Sequence, residues 1–215
     1  MRNITFKTPP AFLYSNFRTL SVATIFDSVS FVGEQLIISW LILELTDSAF
    51  MVGIAMSLRS APLFFLGIPS GILADIFDRK RLLIILTFIL ALFKALMAIL
   101  ILTNHIQVWH LLGSTLVTGS IWALCQPARQ SLAVDLVGKF NAISGLATIG
   151  LSFRIGALLG SLVIGFLMER DGPGIAYCLL SISYVGAALG LILVMVDNQS
   201  TERMRKSLHG TVLEF

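Results

Sequence analysis

The sequence predicts an all-α membrane domain of six transmembrane helices, arranged as two inverted three-helix repeats. Three observations carry that prediction. Of the 215 residues 56% are hydrophobic and 13% are charged, against about 25% charged in an average soluble domain. Mean hydropathy is +0.90, which is more apolar surface than one water-facing core of this size can bury. The apolar residues gather into six stretches of about 20 residues, the length that crosses a bilayer as a helix. The same composition excludes disordered and collagen-like chains. Cys125 and Cys178 both lie in apolar runs and imply no disulfide framework. A net charge of +3, carried in short basic clusters, gives a nucleic-acid partner no support. The partner implied is the lipid bilayer itself.

In chain order, residues 1–19 read as a cytoplasmic N-terminal segment. They carry Arg2, Lys7 and Pro9-Pro10 where a cleavable signal would carry an apolar run. The transmembrane domain is expected at 20–196, with spans at 20–43, 50–74, 82–103, 109–125, 140–168 and 175–196. Residues 197–215 read as a cytoplasmic tail. The connections at Thr46-Asp47-Ser48, Asn104-His105 and Asp171-Gly172-Pro173-Gly174 are short and turn-like. Orientation follows from the basic residues. Eleven of them (Arg2, Lys7, Arg18, Arg79, Lys80, Arg81, Arg129, Lys139, Arg203, Arg205 and Lys206) fall on one side, and only Arg170 falls in the opposite loops. The positive-inside bias therefore puts both termini in the cytoplasm. The second span ends Gly71-Ile72-Leu73-Ala74-Asp75 and the fifth ends Gly165-Phe166-Leu167-Met168-Glu169, an echo on opposite sides of the membrane that suggests the inverted repeat.

The loop joining spans two and three is the most specific segment. Gly71 would permit close helix contact, Asp75 sets a carboxylate at the membrane edge, and Arg79-Lys80-Arg81 holds the turn on the cytoplasmic side. Taken as Gly71, Leu73, Ala74, Asp75, Arg79 and Lys80, it resembles the signature of the major facilitator superfamily. Phe77-Asp78-Arg79-Lys80-Arg81, Leu43-Glu44-Leu45-Thr46-Asp47-Ser48-Ala49, Arg59 with Pro62, and Gln126-Pro127-Ala128-Arg129-Gln130-Ser131 are similar to the enterobactin-exporter and macrolide-efflux branch. The resemblance implies the N-terminal half of a twelve-helix facilitator, in which two halves rock about a central site. It also implies that Gly71, Asp75, Arg79 and Lys80 form a latch loop, with Asp75 contacting the other half. Arg203 to His209 resemble the start of the central linker. The chain is therefore expected to be a fragment, a truncated product or a half-transporter that pairs, with a missing C-terminal half or with a homodimer mate.

Charges inside the spans are costly and mark internal or aqueous surfaces. Asp27 and Glu34, seven residues apart, fall within about 20° on a helix wheel and about 10 Å along the axis. They are candidates for proton coupling or substrate contact, or for internal pairing with Arg59 or Arg154. Neither arginine can shed its proton, so both are expected to be buried against other helices. For Lys94 the family fold implies a peripheral span, where snorkelling or packing competes with substrate contact. Three cations against two acids in the spans hint at an anionic substrate. Gly156-x-x-x-Gly160 in the fifth span has the spacing of close helix packing. Ala157 stands after Gly156, where the family's antiporter motif has proline. Gly113, Gly119 and Ser120 in the fourth span are expected to serve packing.

Nothing here resembles an enzyme. His105, His110 and His209 are dispersed, so neither a metal site nor a cofactor is expected. No phosphate-binding Gly-x-x-x-x-Gly-Lys-Ser/Thr loop occurs, so transport would be secondary. The expected function is a secondary efflux transporter that moves a small organic molecule across the cytoplasmic membrane as part of a two-half assembly. The alternative is a non-transporting membrane module that assembles with or regulates another transporter.

Overall fold

The computed structural model describes residues 14–195, except the side chains of Ile68 and of residues 72–76. Six helices among the described residues are long and apolar enough to cross a membrane. They are α1 (Ser15–Thr46), α2 (Ala49–Ile76), α3 (Arg79–Leu102), α4 (Val108–Val137), α5 (Ala142–Asp171) and α6 (Pro173–Leu193), with a 3₁₀ turn at Lys139–Asn141 before α5. The helices run past the apolar windows because backbone hydrogen bonding continues wherever the side chains permit, whatever their polarity.

The helix ends are set by local chemistry. Asp47 closes α1 in the left-handed region at φ 48°, its N–H donating to the Leu43 carbonyl at 2.9 Å. Asp78 caps α3 by accepting the Arg81 N–H at 2.8 Å. At the N-terminus of α4 a reciprocal cap forms, in which the His110 Nδ1 accepts the Gln107 N–H at 3.1 Å. Gly172, at φ 84°, turns the chain between α5 and α6, and Pro173 starts α6 where a missing N–H costs nothing.

The expected fourth span differs from the structure. It was bounded at residue 125 by the polar Gln126-Pro127, yet α4 continues through Pro127 to Val137. Arg129 therefore lies inside the bundle, 4% exposed, and not in a loop. The reason is periodic: Ser114, Thr118, Ile121, Cys125 and Arg129 are all buried and recur at helical spacing, so one inward stripe carries across the proline. Without Arg129, ten basic residues remain in the count from which the orientation is expected.

Helix α1 is the axis of the bundle, lying against α5 and α6, while α2 lies against α4, and α3 against α6 and α4. Two apolar cores form at its two ends. Phe17, Leu20 and Ala23 of α1 join Leu83, Leu90, Leu132 and Tyr184 in one; Ile37, Ile38, Leu41 and Ile42 join Met97, Leu111, Ile164 and Leu180 in the other. The stretch of α1 between them contributes buried polar groups instead: Asp27, Ser28, Ser30 and Glu34. The body is thus apolar at both ends and polar across its middle.

Small residues decide where backbones meet. A Cβ at Gly156 would strike Ser28 and sit 3.0 Å from the Ile25 carbonyl carbon, and one at Gly160 would lie 2.7 Å from the Val29 carbonyl oxygen, so α5 rests directly on α1. Gly119 of α4 meets α2 in the same way, since its Cβ would strike the Arg59 carbonyl and stand 2.9 Å from the Arg59 carbonyl carbon. Gly113 has no such role, having nothing within 4 Å of the Cβ position, and Ser120 donates within its own helix to the Leu116 carbonyl at 2.8 Å. The close contact expected at Gly71 is also not formed with any described atom, because the Cβ position there is open.

Over-packing a filled site costs about 1–3 kcal/mol. Gly119→Ala, which pushes α2 off α4, should lower the unfolding temperature of the protein in detergent by several degrees. Gly113→Ala on the same helix should leave it unchanged. Equal shifts in a thermal-unfolding assay would contradict the α2–α4 contact.

Candidate functional site

The polar middle of the bundle is organised around Glu34, a carboxylate with 0% exposure. Its Oε1 accepts from the Lys94 Nζ, from the Ser114 Oγ at 2.7 Å and from the Thr118 Oγ1 at 3.3 Å. The Tyr177 hydroxyl approaches the same oxygen at 3.5 Å. The Oε2 faces the Arg59 Nη1 at 3.4 Å. Five of the six helices meet at this one group, with α1 giving Glu34, α2 Arg59, α3 Lys94, α4 Ser114 and Thr118, and α6 Tyr177. Lys94 also donates to the Thr118 Oγ1 at 2.6 Å. Each hydroxyl thus relays between cation and carboxylate.

Two turns away on α1, Asp27 makes a second pair. Its Oδ2 takes the Arg129 Nη1 at 2.6 Å, with both side chains almost fully buried. Charge stands in the membrane interior only when so compensated. Here the compensation is unequal: Asp27 and Arg129 cancel, whereas Glu34 is met by two cations.

The expected partners are therefore formed in part. Arg59 does pair with Glu34 and is 7% exposed. Arg154 contradicts the expectation of burial, for it is exposed on α5 and makes no ion pair among the described residues. Asp27 is paired by Arg129, which was not among its expected partners. Lys94, left open between snorkelling, packing and substrate contact, is 0% exposed and pairs with Glu34. α3 lies against α6 and α4, and Leu90, Ala91, Lys94, Met97, Ala98 and Ile101 share its inward stripe, which carries the ammonium to Glu34. Sequence reasoning also missed Ser114, Thr118, Tyr177 and Arg129. For the α4 residues the signal was the buried stripe at spacings of three and four.

The loop between α2 and α3 is anchored to the bundle. The Arg79 Nη1 lies 2.6 Å from the Asp135 Oδ2 of α4, and the Lys80 Nζ donates to the Ile192 carbonyl at the end of α6 at 3.0 Å, where a cation is favoured by the helix dipole. The side chain of Asp75 lies outside the described residues, as does the tail at 197–215.

Beside the ion network is an aromatic cluster. The Arg59 guanidinium carbon lies 3.9 Å from the centre of the Phe31 ring. Phe31 stacks on Trp122 at 5.1 Å between centroids and tilts against Phe153 at 6.2 Å. The three rings are half-buried and come from α1, α4 and α5. The Arg59 Nε is buried with no hydrogen-bond partner among the described residues.

Leaving a buried charge without its partner costs about 3–5 kcal/mol. Glu34→Gln strands two cations, whereas Lys94→Gln leaves the Arg59–Glu34 pair balanced. Glu34→Gln should therefore destabilise the protein clearly more than Lys94→Gln, and the double substitution should recover part of the loss. Thermal unfolding in nanodiscs measures the order; a reversed order would contradict the charge balance described.

Comparison with known proteins agrees with this architecture. A family model described as "Transmembrane secretion effector", MFS_3, matches residues 8–214. Two curated relatives are an "Uncharacterized transporter" of Buchnera aphidicola subsp. Schizaphis graminum, 23% identical over 174 residues, and "Uncharacterized transporter BU466" of Buchnera aphidicola subsp. Acyrthosiphon pisum, 26% identical over 179 residues. Each alignment covers 77% of this chain, and 41% and 42% of the relatives respectively, so the chain spans about two fifths of the relatives it matches. With its six membrane helices and buried ion network, the chain belongs to the MFS_3 family of transmembrane secretion effectors, a transporter family of the major facilitator type and not a family of enzymes.

Proposed function

We propose that the chain is one six-helix body of a secondary efflux transporter that works against a second six-helix body by alternating access. Arg154 carries this reading. It sits near the middle of α5, exposed and unpaired among the described residues, and a guanidinium held against lipid at that depth costs at least about 2.5–3.5 kcal/mol. Such a face belongs against an aqueous cavity or another protein body. The second body is either the remainder of a longer transporter or another copy of this chain in parallel, and a small organic molecule passes between the two.

The inverted repeat fits the same scheme. Exchanging α1, α2 and α3 with α4, α5 and α6 turns the α1–α5 contact into the α4–α2 contact and the α1–α6 contact into the α4–α3 contact, and returns α3–α6 to itself. This supports two three-helix units related by an axis in the membrane plane. The basic bias supports cytoplasmic termini and a location in the cytoplasmic membrane. Asp75, Arg79 and Lys80, with Gly71, would then latch the cytoplasmic side.

Asp27 and Glu34 are the coupling candidates. A proton on either carboxylate releases the cations it holds, Arg129 from Asp27, or Arg59 and Lys94 from Glu34, and frees helices tied together by that charge. The test compares small molecules in the medium of cells carrying the intact gene, the deleted gene, Asp27→Asn and Glu34→Gln. The intact gene should enrich a compound outside the cell in a manner abolished by a protonophore, and the two substitutions should lose at least tenfold of that enrichment at equal membrane abundance. Identical media from intact and deleted strains would refute export, and unaltered gradient-driven export in both variants would refute the coupling role.

A further inference from the structure

The buried charge at Glu34 does not balance. Glu34 carries one negative charge against Lys94 and Arg59, so the cluster holds one cation in excess. The two cations differ in how they are used. Lys94 is sealed at 0% exposure, and its ammonium is taken up by Glu34, Thr118 and, at 3.5 Å, Ser114. Arg59 is satisfied only in part. It meets Glu34 at 3.4 Å and donates to the Phe31 carbonyl, while its Nε has no partner among the described residues. It cannot relieve the excess by losing a proton. The surplus charge and the spare donor therefore reside on the same residue.

That residue sits at the edge of a half-buried aromatic cluster. Its guanidinium stacks on Phe31, and Phe31 continues into Trp122 and Phe153. The rings are half-buried, unlike the fully buried Tyr177 and Tyr184 that fill the cores. Arg59 and the three rings bring together α1, α2, α4 and α5, the helices joined by the glycine contacts at Gly119, Gly156 and Gly160. Ring faces accept other rings, offset or edge-on, and a guanidinium beside them accepts a carboxylate or similar anion.

We propose that Arg59 with Phe31, Trp122 and Phe153 forms a binding site for a planar aromatic anion, the ring lying on the aromatic cluster and the anionic group answering the unbalanced charge of Arg59. This rests on the transporter reading for its biological use, but the site itself is a property of this chain and is tested by binding alone. Glu34 and Lys94 are positioning residues here: Glu34 holds the guanidinium in place, and Lys94 keeps Glu34 from neutralising it fully.

The experiment uses the full chain in lipid nanodiscs and three probes of one shape: 2-naphthoate, neutral 2-naphthamide and cationic 2-naphthylmethylammonium. Binding is measured by equilibrium dialysis against empty nanodiscs. Naphthoate should bind at least tenfold tighter than either other probe. Arg59→Gln should abolish that preference while retaining weak binding of the neutral ring. Trp122→Leu, outside the ion network, should weaken naphthoate and naphthamide alike by about tenfold and keep the preference. Arg154→Gln should change neither. Equal binding of the three probes, a preference that survives Arg59→Gln, or one that disappears with Arg154→Gln would overturn the assignment. Selective naphthoate binding in a protein that exports nothing would refute the transport reading and leave the site standing.

Discussion

The structure depends on one carboxylate that cannot leave water without company. Glu34 is fully buried in the middle of a membrane body, and the only way to keep it charged there is to bring cations and hydroxyl donors to it from other helices. Because those donors come from α2, α3, α4 and α6, satisfying one side chain fixes the mutual placement of five helices. Apolar packing alone would not choose among arrangements in this way, since the lipid tails are as apolar as the side chains they replace. The cores at the two ends of α1 supply contact area, and the polar layer between them supplies the register.

α5 is the exception, and its separateness is informative. It gives no group to Glu34 and reaches the bundle through Gly156 and Gly160, where backbone meets backbone on α1. Contacts of that kind hold by close fit and involve no charge, unlike the ion network. The body is thus held by electrostatics and by shape together, since Gly119 joins α4 to α2 within the network as Gly156 and Gly160 join α5 to α1. Phe153 of α5 completes the ring cluster beside Arg59, so the helix outside the Glu34 network also contributes to the proposed anion site.

Much of the fold was legible in the sequence because apolar length is a local property. Six spans and the turn at Gly172-Pro173 follow from residues adjacent in the chain. The candidate site was legible only as a set of charges. Asp27, Glu34 and Arg59 stood out because a charge in an apolar run is conspicuous, but which cation answers which acid is decided between helices distant in sequence. Arg129 was hidden because the polar Gln126-Pro127 interrupts the apolar run while leaving the inward stripe of α4 unbroken. The choice left open for Lys94 is decided by its pairing with Glu34, which joins α3 to α1 across the bundle. Arg154 was misjudged by sound chemistry, since an arginine must find compensation, yet among the described residues of this chain it finds none.

Everything at the centre rests on Glu34 being ionised and held by two cations. The most direct measurement is the infrared difference spectrum between the unmodified protein and Glu34→Gln, recorded in nanodiscs at neutral pH with glutamate carrying a ¹³C label in its carboxyl group. The difference should contain the carboxylate stretching bands of one ionised glutamate, and Lys94→Gln should leave those bands in place because Arg59 still balances the charge. A carbonyl band of a protonated carboxylic acid in the difference spectrum, with no carboxylate bands, would show Glu34 to be neutral and would remove the charge balance on which the network and the anion site depend.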